Sequence, residues 1–156
     1  MSDRFIDNYL LFQLALASHT FSEEFYAQLR ASGVSPSKWR ILINLSDVNG
    51  MYLTRLAKYA LYEQSRVTKM VDQLVGEGLV EKRTDQRDRR RVSVHITKKG
   101  LDLVQPLIEQ AKIHENDVLS VLPQSDQKRL KSILNKLAKR HAHDMQVFGL
   151  HLVENQ

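Results

Sequence analysis

Apolar positions along the chain recur at two periods, and the switch between them marks its plan. Phe5, Tyr9, Phe12, Leu16, Phe21, Phe25 and Leu29 fall near helical spacing with no Pro or Gly before Gly33, which predicts a helix over 5–31. Ser35-Pro36 predicts the next helix start. Ser is a good N-cap, and Pro suits the first helical position because its missing N–H would be unpaired there. That helix carries Trp39, Leu42 and Leu45 and stops around Asn49-Gly50. Thr54 can cap a short helix with Leu56, Ala57 and Ala60 inward, and a tight corner at Leu61–Glu63 follows. Val67, Met70, Val71, Leu74 and Val75 then form a one-sided apolar stripe, with Gly76 and Gly78 at its end. Two short helices joined by such a corner make a helix-turn-helix.

The period then becomes two. Val92, Val94 and Ile96 alternate with Ser93, His95 and Thr97, the pattern of a half-buried strand. Leu79–Arg83 is its expected partner, with the polar run Asp85–Arg89 as the hairpin tip. Thr97 can cap a further helix with Leu101, Val104, Ile108 and Ala111 inward, running to about Val121. Leu122-Pro123 breaks it, and Ser125 caps a last helix whose stripe is Leu130, Ile133, Leu134, Leu137 and His141, continuing toward Phe148. No repeat or linker separates domains, so 156 residues read as one domain or two small parts sharing a core.

Composition narrows the function. Apolar residues make up 42% of the chain, enough for a packed interior. No run of about 18 apolar residues exists to span a membrane. The N-terminus MSDRFIDNYL lacks a signal-peptide layout, so a cytoplasmic location is expected. The absence of cysteine excludes a disulfide framework, a thiol nucleophile and a thiolate metal site. The net charge of +5 is modest, but its placement is not. Leu53–Lys99 holds twelve basic and six acidic residues, a local +6 that leaves −1 on the rest. Six of the ten residues in Lys82–Arg91 are basic. A basic centre between near-neutral flanks is the footprint of polyanion binding.

A helix-turn-helix followed directly by a hairpin is a winged helix, and here the sequence resembles the MarR family of bacterial transcription regulators. The carrying segments are Leu53-Thr54-Arg55-Leu56-Ala57, then Ser65-Arg66-Val67-Thr68-Lys69-Met70-Val71-Asp72-Gln73-Leu74, then Gly78-Leu79-Val80-Glu81-Lys82-Arg83. The family's wing signature, Asp-x-Arg, five residues, then Leu-Thr, reads Asp88-Arg89-Arg90, five residues, then Ile96-Thr97. Ile for Leu keeps the core contact. The expected fold is mainly α with a small β-hairpin wing. A winged helix-turn-helix DNA-binding domain at 36–99 is flanked by dimerisation helices at 1–35 and 122–156, with 100–121 as a connecting helix. On the recognition helix, Ser65 and Thr68 suit phosphate, and Arg66 and Lys69 suit base edges in the major groove. A thin hairpin tip can enter the minor groove, where negative potential favours Arg. The resemblance implies Arg90 as the wing arginine with Asp88 pairing to fix its direction. Arg87 and Arg89 add phosphate or groove contacts.

A two-fold dimer places two recognition helices about 34–36 Å apart on double-stranded DNA and so selects a palindromic operator. The resemblance implies a homodimer and a small-molecule effector, often an aromatic acid. Phe12, His19, Trp39 and Arg40 are the candidate ligand residues for an aromatic acid or its thioester, Arg supplying a charge-assisted bond. Without cysteine, thiol-oxidation sensing is excluded. His141, His143 and Asp144, with His114 and Glu115, are the nearest approach to a metal cluster, but His141 and His143 diverge on a helix, so no metal is expected. No cofactor is expected either. Nothing in the chain assembles a nucleophile, base and acid or a phosphate-cradling loop, so an enzyme is not expected. The leading function is a ligand-released repressor, and the alternative is an architectural DNA-binding protein without an effector.

Overall fold

The structure is a computed structural model that describes residues 4–139. The chain runs α1 (Phe5–Asn8), α2 (Leu10–Ala31), α3 (Pro36–Asp47), β1 (Met51–Tyr52), α4 (Leu53–Ala60), α5 (Gln64–Gly76), β2 (Val80–Thr84), β3 (Val92–Ile96), α6 (Lys98–Leu119) and α7 (Gln124–Lys139). It is mainly helical with a small antiparallel sheet, the winged helix-turn-helix architecture expected from the sequence.

Local chemistry sets most boundaries. The Ser35 hydroxyl accepts the Lys38 N–H at 3.2 Å with Pro36 in the first helical position. Thr97 caps α6 by accepting the Gly100 N–H at 3.1 Å, and its hydroxyl donates to the Gly78 carbonyl at 2.7 Å. α5 ends in paired bonds, Gly78 N–H to Val75 and Leu79 N–H to Leu74, with Gly78 at φ +71°. Only a residue without Cβ takes that left-handed turn freely, and it brings Leu79 back onto Leu74.

Several boundaries depart from the periodicity. The first helix is broken at Tyr9, whose backbone is extended (ψ 113°). The Gln13 side-chain amide takes up the Asp7 carbonyl at 2.9 Å that the break leaves free. Thr54 does not cap α4. β1 leads straight into Leu53, so Tyr52 holds the N-cap position with no side-chain cap bond. β1 itself was not anticipated: two residues are too short to show a period, and they pair with β3 at Met51–Val94 and Tyr52–Ser93. The hairpin strand starts one residue later than expected, and Val80 faces Ile96. α6 stops at Leu119, and Ser125 lies inside the first turn of α7. Val75 and Leu101 face outward, and Leu107 takes the buried place on α6. His141, His143, Asp144 and Phe148 lie outside the described residues.

One core holds the winged part together. Ile41, Leu42 and Leu45 of α3 pack with Leu56, Ala57 and Ala60 of α4, with Val67, Val71 and Leu74 of α5, and with Val80, Val94 and Ile96 of the hairpin. A smaller cluster of Phe25, Leu29, Val34 and Leu107 fastens α2 to α6. Trp39 and Leu103 touch both clusters, so the two are mechanically continuous. Beyond them, α1, the first half of α2 and the apolar stripe of α7 stay open: Phe5 is 77%, Leu11 60% and Leu137 46% exposed.

Gly100 is where α6 meets the hairpin. A Cβ there would stand 2.2 Å from the Leu79 carbonyl oxygen and 2.7 Å from Ile96 Cγ1. In an ordinary helix Gly→Ala gains up to about 1 kcal/mol. Here overpacking costs about 1–3 kcal/mol or more. Gly100→Ala is therefore expected to lower the urea midpoint, and a midpoint raised or unchanged would contradict this packing.

Candidate nucleic-acid interface

α5 turns its apolar side into the core and its polar side out. Gln64, Ser65, Arg66, Lys69 and Gln73 are exposed, and Thr68 is half-buried. Glu63 holds the N-cap with no side-chain cap bond. The Thr68 hydroxyl donates to the Gln64 carbonyl at 2.9 Å, so its hydrogen is held by its own helix. The corner before α5 is sharp because Leu61 sits in the left-handed region at φ 58°. This places the Tyr62 ring beside the helix, with the Arg66 guanidinium 4.2 Å from its centroid.

The wing tip is organised by Asp85. Its Oδ1 accepts the Arg87 and Asp88 backbone N–H groups at 2.8 and 3.3 Å, and its Oδ2 accepts the Tyr52 hydroxyl at 2.8 Å. The Asp85 N–H bonds to the Arg91 carbonyl, and the Arg91 N–H to the Asp88 carbonyl. The Arg91 guanidinium lies 4.1 Å from the Tyr52 ring centroid. The Arg87 and Tyr52 bonds, with that of Asp88, hold the Asp85 carboxyl below its ordinary range. The same Asp85 bond, then burial, pushes the Tyr52 phenol up. Asp88 reaches Arg90 through its backbone, accepting the Arg90 N–H at 3.0 Å. It therefore shapes the turn and does not grip the guanidinium. Arg87, Arg89 and Arg90 are exposed on this tip. Tyr52 and Asp85 were missed from sequence. An Asp opening a polar tip signals a side-chain-closed turn, but its partner 33 positions away leaves no local trace.

Many basic side chains nearby are already committed. Lys82 pairs with Asp72 of α5, Lys38 with Glu77 at 2.7 Å, and Arg83 with Glu81. The Lys99 ammonium donates to the Glu77 carbonyl at 2.7 Å. Arg66, Lys69, Arg87, Arg89 and Arg90 form no ion pair among the described residues. A notch of about 130 Å³ lined by Tyr52, Leu53, Thr54, Gln64, Arg90, Arg91 and Val92 joins the start of α5 to the wing root. The start of α5 and the root of the wing thus border one notch.

A second feature lies between α2, α3 and α6. A cavity of about 300 Å³ is lined by Phe21, Ser22, Phe25, Tyr26, Trp39, His114, Glu115 and Val118. The Phe25 and Trp39 rings meet edge to face at 5.3 Å. Of the four candidate ligand residues only Trp39 lines it. Phe12 and His19 are exposed on α2. Arg40 donates to the Tyr26 hydroxyl at 3.0 Å, one step behind the wall. Periodicity places Phe21 and Phe25 in the helix stripe, and the sequence assigns His114 no ligand role. Only the crossing of α6 over α2 brings them together. No group of three or more potential metal ligands occurs among the described residues, and none of their helices is long and apolar enough to cross a membrane.

Comparison with known proteins is consistent with this geometry. The sequence profile of the MarR family matches residues 34–92. A solved MarR family transcriptional regulator from Silicibacter pomeroyi DSS-3 is 40% identical, with a TM-score of 0.79 over 88% of this chain and 98% of its own. The structure of NadR in complex with 4-hydroxyphenylacetate is 24% identical, with a TM-score of 0.75 over 89% of this chain and 96% of its own. A putative transcriptional regulatory protein for the hcr operon of Thauera aromatica is 25% identical over 69% of this chain, and the match spans 65% of that protein's length.

The Asp85 lock makes a specific expectation for the wing. A folded-state pKa held below the ordinary value of about 3.9 means its ordering effect is complete above that pH. The effect is lost only as pH falls through the depressed value. Asp85→Ala should drop backbone order parameters at Arg87–Arg90 from rigid values to below about 0.6, with little change in melting temperature. A tip equally ordered in that variant at neutral pH would show that Asp85 does not hold it.

Proposed function

Because the chain belongs to the MarR family of winged helix-turn-helix, DNA-binding transcriptional regulators, we propose that it works as a ligand-responsive repressor, a homodimer on a palindromic operator released by a small aromatic acid or its thioester. The observation that carries the DNA part is the shared outlook of α5 and the wing, joined at the notch between Gln64 and Arg90. A helix fits the major groove, and the hairpin tip beyond it reaches the adjacent minor groove. In this reading Arg66 and Lys69 approach base edges, Ser65 and Thr68 approach phosphates, the Thr68 hydroxyl turning from the Gln64 carbonyl to donate there, and Arg90 enters the minor groove flanked by Arg87 and Arg89. Asp88 shapes the turn that carries Arg90.

The dimer part rests on the open apolar faces. Phe5, Leu10, Leu11 and Leu16 near one end, and Ile133, Leu134 and Leu137 on α7, are too many exposed large side chains for an isolated chain. A two-fold partner would cover them and fix the spacing of the two recognition helices.

The effector part rests on the aromatic cavity. Phe21, Phe25 and Trp39 offer ring contacts, and Tyr26, Trp39 and His114 offer polar atoms. NadR binds 4-hydroxyphenylacetate on the same fold. Ligand that binds better to a dimer with wrongly spaced recognition helices lowers operator affinity by that difference. The regulator would work in the cytoplasm, beside the chromosome.

Selection from a random-sequence duplex library tests the whole reading. A palindromic site should emerge and bind about a thousandfold or more tighter than random DNA at stated salt. Uniform binding would favour an architectural protein instead. On the selected duplex, Arg90→Ala should weaken binding about tenfold or more while the melting temperature holds, and unchanged affinity would remove Arg90 from the interface. Sedimentation equilibrium at micromolar concentration should give twice the 18.1 kDa chain mass, and a monomer would overturn the dimer.

A further inference from the structure

Four side chains from separate elements make an unbroken chain of contacts from the aromatic cavity to the recognition helix. Tyr26 of α2 lines the cavity. Its hydroxyl accepts from Arg40 Nη2 of α3 at 3.0 Å. The Arg40 guanidinium carbon lies 5.3 Å from the centroid of the Tyr62 ring in the helix-turn-helix corner. The Arg66 guanidinium of α5 packs on that same ring at 4.2 Å. No ion pair restrains Arg66 among the described residues, so the ring is what holds its direction.

We propose that Tyr62 is a positioning residue for Arg66, and that Arg40 couples it to Tyr26, so that the cavity wall sets where the Arg66 guanidinium stands. The inference rests on the reading of α5 as the DNA-contacting helix. The physics is a shared quadrupole. A phenol ring attracts a guanidinium to either electron-rich face, and two guanidinium groups seated on one ring repel each other, so the place of one bears on the place of the other. The Tyr26 hydroxyl fixes Arg40 through a directional bond and so sets how Arg40 bears on the ring and on Arg66. Tyr62 cannot follow freely. Its backbone N–H is held by the Ala57 carbonyl at 3.1 Å, and its side chain packs against the main core. A molecule in the cavity that takes the Tyr26 hydroxyl or turns its ring would release Arg40 and change the seat of Arg66. This link lies within one protomer. It therefore acts on base reading in each half-site, in addition to any change in the spacing between the two recognition helices.

The experiment uses the full chain and needs no effector. Tyr26→Phe keeps the cavity-lining ring and removes only the oxygen that accepts from Arg40. Its first readout is the Arg66 side-chain Nε–Hε resonance, which ring current from Tyr62 displaces. That resonance should move in Tyr26→Phe although Tyr26 does not touch Arg66. The second readout is a double-mutant cycle on the selected duplex. Tyr26→Phe should weaken binding at least about threefold, and this loss should vanish in an Arg66→Ala background. Tyr62→Leu should displace the resonance and weaken binding, and Tyr62→Phe should restore both. A resonance unmoved by Tyr26→Phe, or losses that multiply in the double variant, would overturn the coupling. If the wild type selects no duplex, the DNA-binding reading fails, while the resonance still decides the link.

Discussion

Val67, Val71 and Leu74 tie the recognition helix into the same core that takes Leu42 and Leu45 from α3, Leu56 and Ala60 from α4 and Val94 from the hairpin. Each outward group on α5 depends on this seam. A helix with apolar residues on one side only can bury that side in a single orientation, and the polar residues between them must then face water. Truncating one of these buried leucines would cost about 2–5 kcal/mol, a large part of the stability of a domain this size. The wing is fastened to the same seam twice: Thr97 and Gly100 lock it beneath α6, and Lys82 reaches across to Asp72. The spatial relation between α5 and the wing is therefore a property of the core, and the loops only decorate it.

Electrostatics on this frame is selective. The basic segment carries twice as many basic as acidic residues, yet its Lys82, Arg83 and Lys98 are drawn into ion pairs, as is Lys38 of α3 ahead of it. Exposed pairs of this kind add little stability. Their effect is to remove cations from the general field and leave Arg66, Lys69, Arg87, Arg89 and Arg90 without an ion pair among the described residues. Tyrosines then direct the arginines: Tyr62 takes Arg66, and Tyr52 takes Arg91 at the wing root. His95, behind the wing on β3, is held below its ordinary pKa mainly by burial and secondarily by Arg83. It therefore carries less charge near neutrality than a free imidazole.

The helices, the helix-turn-helix corner and the wing strand Val92–Ile96 were legible because each rests on local signals: a period, a cap, a left-handed glycine. So was the wing signature, since Asp88, Arg90, Ile96 and Thr97 lie within ten positions. What escaped needs contacts distant in sequence. β1 exists only because Met51 meets Val94, and the Tyr52–Asp85 bond joins two elements that no periodicity connects. The face of α6 departs from its period at Leu101 and Leu107 because it packs on two clusters at once, and the stripe of a single helix does not say which neighbour it meets. Phe12 and His19 lie on the first half of α2, exposed and outside the cavity lining. Tyr26, the residue that touches both cavity and Arg40, carries no sequence mark apart from its type.

In the proposed dimer, two copies of this frame place paired α5 helices and wings on a single side of a duplex. A hydroxyl-radical footprint of the selected duplex reads that geometry directly. Two protected half-sites should appear, centred about 10 base pairs apart, each with a flanking minor-groove protection that disappears with Arg90→Ala. A single protected half-site, or uniform protection along the duplex, would contradict it.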